Sequence, residues 1–490
     1  MSNESNESNE SNESNGSHES NDPNDPNDPN DPNIESDEDR AAGSPPDSSL
    51  TFIGRNSALA RTVGRPLLNF LRIETSGGIL LLAATAAALI WVNSPVGDSY
   101  AHFWHTPIEI TVSDFVVFDE DLHGFVNDAL MALFFFVVGL EIKRELVTGR
   151  LRRLRDAMLP AVAALGGMVV PALVYVAFNA GGEDLRGWGV PMATDIAFAV
   201  GVVSLVGKWV PGWLRLFLLT LAIVDDIGAI LVIAVFYSSD ISLGWLGLAA
   251  ALCVLIAALR RIRVWQWAVY MVVGVFVWWA TLNSGVHATI AGVALGLLTP
   301  AKPLQGDSDA RSVARWLQDR PRISVTDIRR ANFGIAESRS VAERLEVALH
   351  PYVSYLVVPV FALANAGVVL SADSLRGAAS SSVTIGVALG LLVGKTVGVS
   401  GFTLLATKLG LSALPAGVSR LHVVGVSIVA GIGFTVALFV TALAFDGSAA
   451  GDEAKIGVLA ASLVAAVAGL VVLRLAGRRS VAALAVPRRS

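Results

Sequence analysis

Cysteine is all but missing from this 490-residue chain. The single Cys253 lies in an apolar segment, which excludes an intramolecular disulfide and argues against a metal–thiolate site. Charge is scarce as well. Only 16% of residues are charged, 53% are hydrophobic and the mean hydropathy is +0.58. A soluble domain carries about 25% charged residues, so the composition excludes an ordinary soluble protein and points to a polytopic membrane protein. The front of the chain lacks the basic start and apolar stretch of a signal peptide. Nucleic-acid motifs are absent too, and nucleic acid is not an expected partner.

The acid behind the formal charge of −6 is concentrated at the front and in certain loops. Residues 1–57 read as an acidic low-complexity tail of SNE and NDP repeats without core-forming material, so disorder is expected there. Residues 58–476 read as the membrane domain, interrupted by a long cytoplasmic loop at about 301–350, and 477–490 as a short basic tail. Arg61, Arg65 and Arg72 among apolar neighbours suggest a short interfacial helix over 58–75.

Hydropathy gives about 12 apolar spans, near 77–95, 124–142, 157–178, 188–206, 213–236, 242–259, 264–281, 286–300, 352–370, 381–406, 420–445 and 455–475. Basic residues alternate between connections. The second holds Lys143, Arg144, Arg150, Arg152, Arg153 and Arg155, and the other even connections and both flanks are basic as well. The connection 96–123 has no Lys or Arg, and the other odd ones offer only Arg186, Arg376 and Lys455. Lys and Arg mark the cytoplasmic side, which places both termini inside and makes the span count even.

Between Leu216 and Tyr237 there is no basic residue, yet LAIVDDIGAI sets Asp225 and Asp226 side by side in that apolar run. A carboxylate at mid-membrane costs about 2.5–3.5 kcal/mol on insertion scales. Desolvation and mutual repulsion both disfavour the doubly ionised pair. A proton, a metal cation or a buried base must compensate. Lys395, in GLLVGKTVGVSG, has no acid in its own segment and should pair with a carboxylate on another helix. Adjacent residues lie about 100° apart around a helix, so both aspartates can border one cavity while only one faces the lysine.

The fourth span holds MATDIAFAVG, with Pro191 and Gly201 around Thr194 and Asp195; the eleventh holds GIGFTVALF, with Gly431 and Gly433. Glycine weakens helices, and backbone unwinds within a membrane only beside protein or a polar cavity. These two spans are the middle members of spans 3–5 and 10–12, two groups of opposite orientation. Paired interrupted helices in inverted repeats indicate a transporter with a midplane site.

At this point the residues resemble the NhaA-type sodium–proton antiporters. From about Ser76 to Leu475 the chain carries SGGILLLAA, NDALMALFFFVVGLEIKREL, ATDIAF, LAIVDDIGAI, SGVHATIAGV, LHPYVSYLVVPVFALANAG, GKTVG and GIGFT in the family's order. That family is itself a type case of the inverted-repeat fold, so the two arguments are not independent. The resemblance implies an all-α polytopic membrane protein of about 12 transmembrane helices, with discontinuous fourth and eleventh spans. It identifies Asp226 as the cation-ligating and proton-carrying carboxylate. Asp225 is identified as its proton-binding neighbour, paired with Lys395. Both aspartates would ligate the transported Na+. Thr194 and Asp195 match the polar helix break, where Asp195 balances the facing helix ends. Asp128, Glu141, Arg144 and Glu145 match positions of ion access and pH response, and His287, Arg344, Glu346 and His350 other regulatory positions. The eighth connection is some 30 residues longer than is usual and lacks a histidine between His287 and His350, and Glu343 stands where a second base beside Arg344 is usual.

The expected function is Na+(Li+)/H+ antiport in a prokaryotic cell membrane: export of cytoplasmic sodium against external protons, electrogenic and pH-regulated. The chain is then a secondary transporter, not an enzyme, without a resident cofactor; its partners are the bilayer and the transported Na+ or Li+ and H+, and a homodimer is compatible. An intramembrane aspartyl protease needs its aspartates on separate helices, unlike this adjacent pair. A sodium-coupled solute symporter on the same fold is the other reading, although Lys395 is the only deep base available to hold an organic anion.

Overall fold

The computed structural model describes residues 76–112, 115–238, 240–262, 264, 266–303, 306–320, 322–412, 414–415, 418–445 and 447–485. The acidic tail, the expected interfacial helix and the last five residues lie outside them. The described chain is overwhelmingly helical. It opens with α1 (Ser76–Val92) and α2 (Asp98–Trp104). A two-stranded antiparallel hairpin follows, β1 (Pro107–Val112) and β2 (Phe115–Asp121), paired from Pro107↔Asp121 to Val112↔Phe115. This hairpin adds to the all-helical expectation. It is built from the β-branched runs PIEITV and FVVFDED, which fit a strand better than a helix.

Asp121 then starts α3 (Leu122–Val147), its carboxylate accepting Gly124 N–H at 2.7 Å as an N-cap. Residues Val126–Leu130 of this helix form a π turn. Next come α4 (Leu154–Asn179), a 3-10 segment (Glu183–Met192), α5 (Ile196–Val206) and α6 (Gly212–Phe236). They are followed by α7 (Leu243–Arg261), α8 (Trp267–Leu282) and α9 (Thr289–Leu298). The long loop carries α10 (Asp307–Gln318) and α11 (Val325–Ala336), the latter opened by a reciprocal capping box between Ser324 and Asp327. The rest is α12 (Val341–Asn365), α13 (Ala372–Ser380), α14 (Ser382–Lys408), α15 (Arg420–Val429), α16 (Phe434–Ala444) and α17 (Ala449–Ala485).

Among the described residues, seven helices are long and apolar enough to cross a hydrocarbon core: α3, α4, α6, α7, α12, α14 and α17. Two more candidates are bent pairs. The 3-10 segment meets α5 at 42°, and α15 meets α16 at 47°. Three apolar helices are shorter, α1, α8 and α9. The apolar stretch expected at 286–300 is helical only from Thr289, because SGVH ahead of it forms a turn with Gly285 at φ 77.

Large apolar side chains face outward on these helices, such as Leu243 (80% exposed) and Val254 (68%) on α7, and Leu173 on α4. Water would oppose such a surface and lipid would not. Inside, α4, α6, α14 and the two bent pairs pack around one core with α17. At Gly398 on α14 an added Cβ would lie 2.1 Å from the Gly166 carbonyl of α4, so the two backbones touch. That contact brings Lys395 to the centre.

Candidate functional site

Asp225 and Asp226 lie midway along α6, 0% and 5% exposed, and Lys395 of α14 is 0% exposed. The lysine threads past Gly167 of α4, where a Cβ would stand 3.7 Å from Lys395 Cδ. Its Nζ donates to Asp225 Oδ2 in an ion pair with both side chains fully buried. The expectation that one aspartate faces the lysine holds geometrically, and Asp225 is that one. Asp225 Oδ1 and Asp226 Oδ1 are buried without a hydrogen-bond partner. Buried carboxylate oxygens are normally satisfied, and an unsatisfied one costs several kcal/mol. These two oxygens are where a hard cation or a proton gains most.

The two bent pairs cross beside them. Thr194 Oγ1 lies 2.8 Å from Asp225 Oδ2 and 2.8 Å from the Ala430 carbonyl, so its single proton serves one acceptor at a time. Asp195 N–H donates to the Ile432 carbonyl at 2.7 Å. The Asp195 carboxylate caps α5 by accepting Phe198 N–H at 2.9 Å. It also accepts Thr435 N–H at 3.1 Å and Thr435 Oγ1 at 2.7 Å, at the start of α16. One buried carboxylate thus serves two helix N-termini, where partial positive charge gathers. Gly433 permits the crossing, since a Cβ there would stand 3.2 Å from the Ala193 carbonyl and 2.9 Å from Leu391 Cδ2.

The other candidates separate into distinct places. Arg144 of α3 donates to Glu346 of α12 at 2.6 Å, and Glu141 lies within electrostatic range of both, and of Asp226. Glu145 lines a cavity on the side of the basic connections. Arg344 pairs with Glu337 at 3.1 Å, His350 is exposed, and Glu343 bonds Arg339. His287 stands apart from these, its Nε2–H donating to the carbonyl of Tyr237 at 2.7 Å at the C-terminal end of α6. Asp128 sits in the π turn of α3, its carbonyl accepting Trp278 Nε1–H at 2.8 Å. Thr435 and the Ala430 and Ile432 carbonyls join the site beyond the residues expected from the sequence. Thr435 stands in the quoted GIGFT motif and could have been found there. The two carbonyls had no signal, because any residue type supplies one.

A cavity of about 1430 Å³ opens on the side of the basic connections, lined by Glu145, Arg152, Asp156, Thr220, Ile223 and Thr407 among others. Ile223 lies one turn before Asp226 on α6, so water and cations from that side come within about a helical turn of the pair.

A family model described as Na+/H+ antiporter 1 matches residues 68–473. The chain is 48% identical over 433 residues to Na(+)/H(+) antiporter NhaA 2 of Sorangium cellulosum, covering 85% of this chain and 91% of that protein. It is 46% identical to Na(+)/H(+) antiporter NhaA 3 of Frankia alni, over 84% of this chain and 88% of that one. To the Na(+)/H(+) antiporter NhaA of Rhodopirellula baltica it is 46% identical, over 83% and 93% of the two chains.

Proposed function

The chain belongs to the Na+/H+ antiporter 1 family and is a multi-pass membrane protein that exchanges Na+ for H+; from that premise we propose how its residues do so. Sodium, or lithium, leaves the cytoplasm and protons enter. The observation that carries this is the buried Asp225–Asp226 pair with two unspent oxygens, held between Lys395 and the crossing of two bent helices. Hard cations favour oxygen ligands, and Asp226, Asp225 and the loosened backbone at the crossing supply them.

A cation arriving at the pair repels the Lys395 ammonium and competes for Asp225, and a proton on the carboxylates expels the cation. Either occupant neutralises the site enough for it to change sides. Low cytoplasmic pH keeps the pair protonated and stops exchange. With both aspartates taking part, two protons move against one Na+, and the exchange is electrogenic; a potential of 100 mV then contributes about 2.3 kcal/mol per net charge. Reversal potentials in proteoliposomes test that ratio, and an electroneutral result removes it. Lys395 is spent on Asp225, which argues against a second role as the anchor of an organic anion.

The seven long helices, two bent pairs and three shorter apolar helices together make the 12 spans of an inverted-repeat transporter, the bent pairs being its discontinuous helices. Both termini then lie in the cytoplasm of a prokaryotic cell, and the 1430 Å³ cavity faces inward. Arg144, Glu346, Glu141 and Glu145 form the inner cluster through which pH acts on α3 and α12, with Arg344 and His350 at its margins; Asp128 and, at the other end of α6, His287 serve the outer side. No resident cofactor takes part.

Everted vesicles with a pH-sensitive dye test the core of this reading. Na+ or Li+ should cause dequenching in wild type and none in Asp226→Asn across alkaline pH. Dequenching that survives in Asp226→Asn would remove the ion from that carboxylate.

A further inference from the structure

Opposite the inward cavity, three polar side chains close the other end of α3 against α12. Asn365, the last residue of α12, is 1% exposed. Its Nδ2 donates to Asn127 Oδ1 at 3.0 Å and to the Phe361 carbonyl at 3.1 Å, and its Oδ1 lies 3.1 Å from His123 Nε2. Asn127 Nδ2 in turn approaches His123 Nδ1 at 3.3 Å. A neutral imidazole with its proton on Nε2 satisfies this ring of contacts: it donates to Asn365 and accepts from Asn127. Asn127 precedes Asp128, within the π turn of α3.

The two sides of this clasp are held unequally. The Asn365 side is braced: Tyr100 OH sits 2.8 and 2.7 Å from the Leu363 and Ala364 carbonyls, and Asn93 bonds the Val368 carbonyl at 2.9 Å and Leu370 N–H at 2.6 Å. The Asn127 side, tied by Trp278 at the Asp128 carbonyl, rides directly on a π turn, a form that recurs at functional sites and reverts to α by shifting one residue, whereas the π turn of α12, Val353–Val357, lies two turns away from Asn365. Such a shift rotates Asn127 and Asp128 by about 100° and takes Asn127 off its partner. Beneath the clasp, Phe361 of the same α12 turn and Phe135 of α3 both pack on Phe439 of α16, one turn beyond Thr435.

We propose that Asn365 is the latch of an outer gate: it holds the outer end of α3 shut through Asn127 and His123 in the inward-open form, and releases it when the ion path opens outward. This rests on the antiport reading for its purpose, but the latch itself is a statement about access. Asn365 is a positioning residue, acting on Asp128 and the path below it without touching the cargo.

The test is cysteine accessibility. Asp128→Cys in a Cys253→Ala background is labelled in right-side-out vesicles with a membrane-impermeant methanethiosulfonate, with native Asn365, Asn365→Ala or Asn127→Ala. Losing the bridging hydrogen bond should raise the labelling rate by about tenfold in either variant. His123→Ala, which leaves the amide–amide bond in place, should raise it less. Equal rates in all four proteins, with melting temperatures showing each is folded, would overturn the latch. Asn127→Ala removes the bridge from the more exposed partner and keeps the test open if Asn365→Ala does not fold. Na+-driven exchange measured on the Cys253→Ala parent tells the two readings apart: its absence removes the antiport reading and leaves the accessibility comparison standing.

Discussion

Asp195 and Thr435 come from opposite halves of the chain, and one carboxylate oxygen of Asp195 accepts both the amide and the hydroxyl of Thr435. With the Phe198 amide on the other oxygen, the carboxylate is the shared N-cap of α5 and α16. Two helix N-termini pointing at one another would repel, so the single negative charge between them is structural as well as polar. Asp195→Ala removes charge-assisted bonds and strands buried donors. It should lower stability by about 2–4 kcal/mol. Thermal unfolding in detergent measures this, and Asp195→Asn, which keeps an acceptor but loses the charge, should fall in between.

The Asp225–Lys395 pair gives a sharper test. Removing one member of a buried ion pair costs about 3–5 kcal/mol because the other charge is left alone, whereas replacing both is often neutral. Lys395→Met should therefore melt well below wild type, and Lys395→Met with Asp225→Asn should recover most of the loss. If the double variant is no more stable than the single one, the pair seen here does not set the energetics of the core.

Most of this architecture was legible in the sequence because a membrane imposes a simple code. Apolar length marked the seven long helices and the two bent pairs, and intramembrane Asp225, Asp226 and Lys395 stood out through their desolvation cost. Thr194 and Asp195 were visible as polar residues at a break. What stayed hidden was carried by backbone and by small polar side chains. The Ala430 and Ile432 carbonyls bear no residue signature, and Asn127 and Asn365 become informative only when packing sets them 3.0 Å apart. The hairpin was hidden because it lies between spans, where hydropathy is silent. The separation of His287 from Arg344, Glu346 and His350 was legible too, since His287 follows the non-basic seventh connection and the other three sit at the basic eighth, but its partner, the Tyr237 carbonyl, was not.

Outside the membrane, Asp121 couples α3 to pH. Partial burial acts to raise its pKa, but the Gly124 amide, the bond to His105 and the nearby His123 outweigh it, so the carboxyl titrates below its ordinary value. A lowered folded-state pKa means that the ionised cap contributes stability above the unfolded pKa and that this is lost as pH falls through the folded one. Asp121→Asn should thus melt slightly below wild type at neutral pH, and the two should converge in acid. A difference that persists below the carboxylate range would mean the cap works by shape alone. The effect is small, because the group is half-open to water.

Gly398 and Gly401 lie one turn apart on α14 and should respond in opposite directions to the same substitution. At Gly398 a methyl would lie 2.1 Å from the Gly166 carbonyl and 3.1 Å from Val170 Cβ, so α14 and α4 would have to separate. At Gly401 nothing lies within 4 Å of the added carbon. Overpacking of this kind costs about 1–3 kcal/mol, while an unhindered Gly→Ala in a helix interior gains roughly 0.5–1 kcal/mol. Gly398→Ala should lower the melting temperature and, by drawing Lys395 back from Asp225, also shift the pH at which exchange begins. Gly401→Ala should raise the melting temperature and leave that pH where it was. Loss of stability in Gly398→Ala with an unmoved pH profile would show that the helix contact holds the fold without setting the lysine.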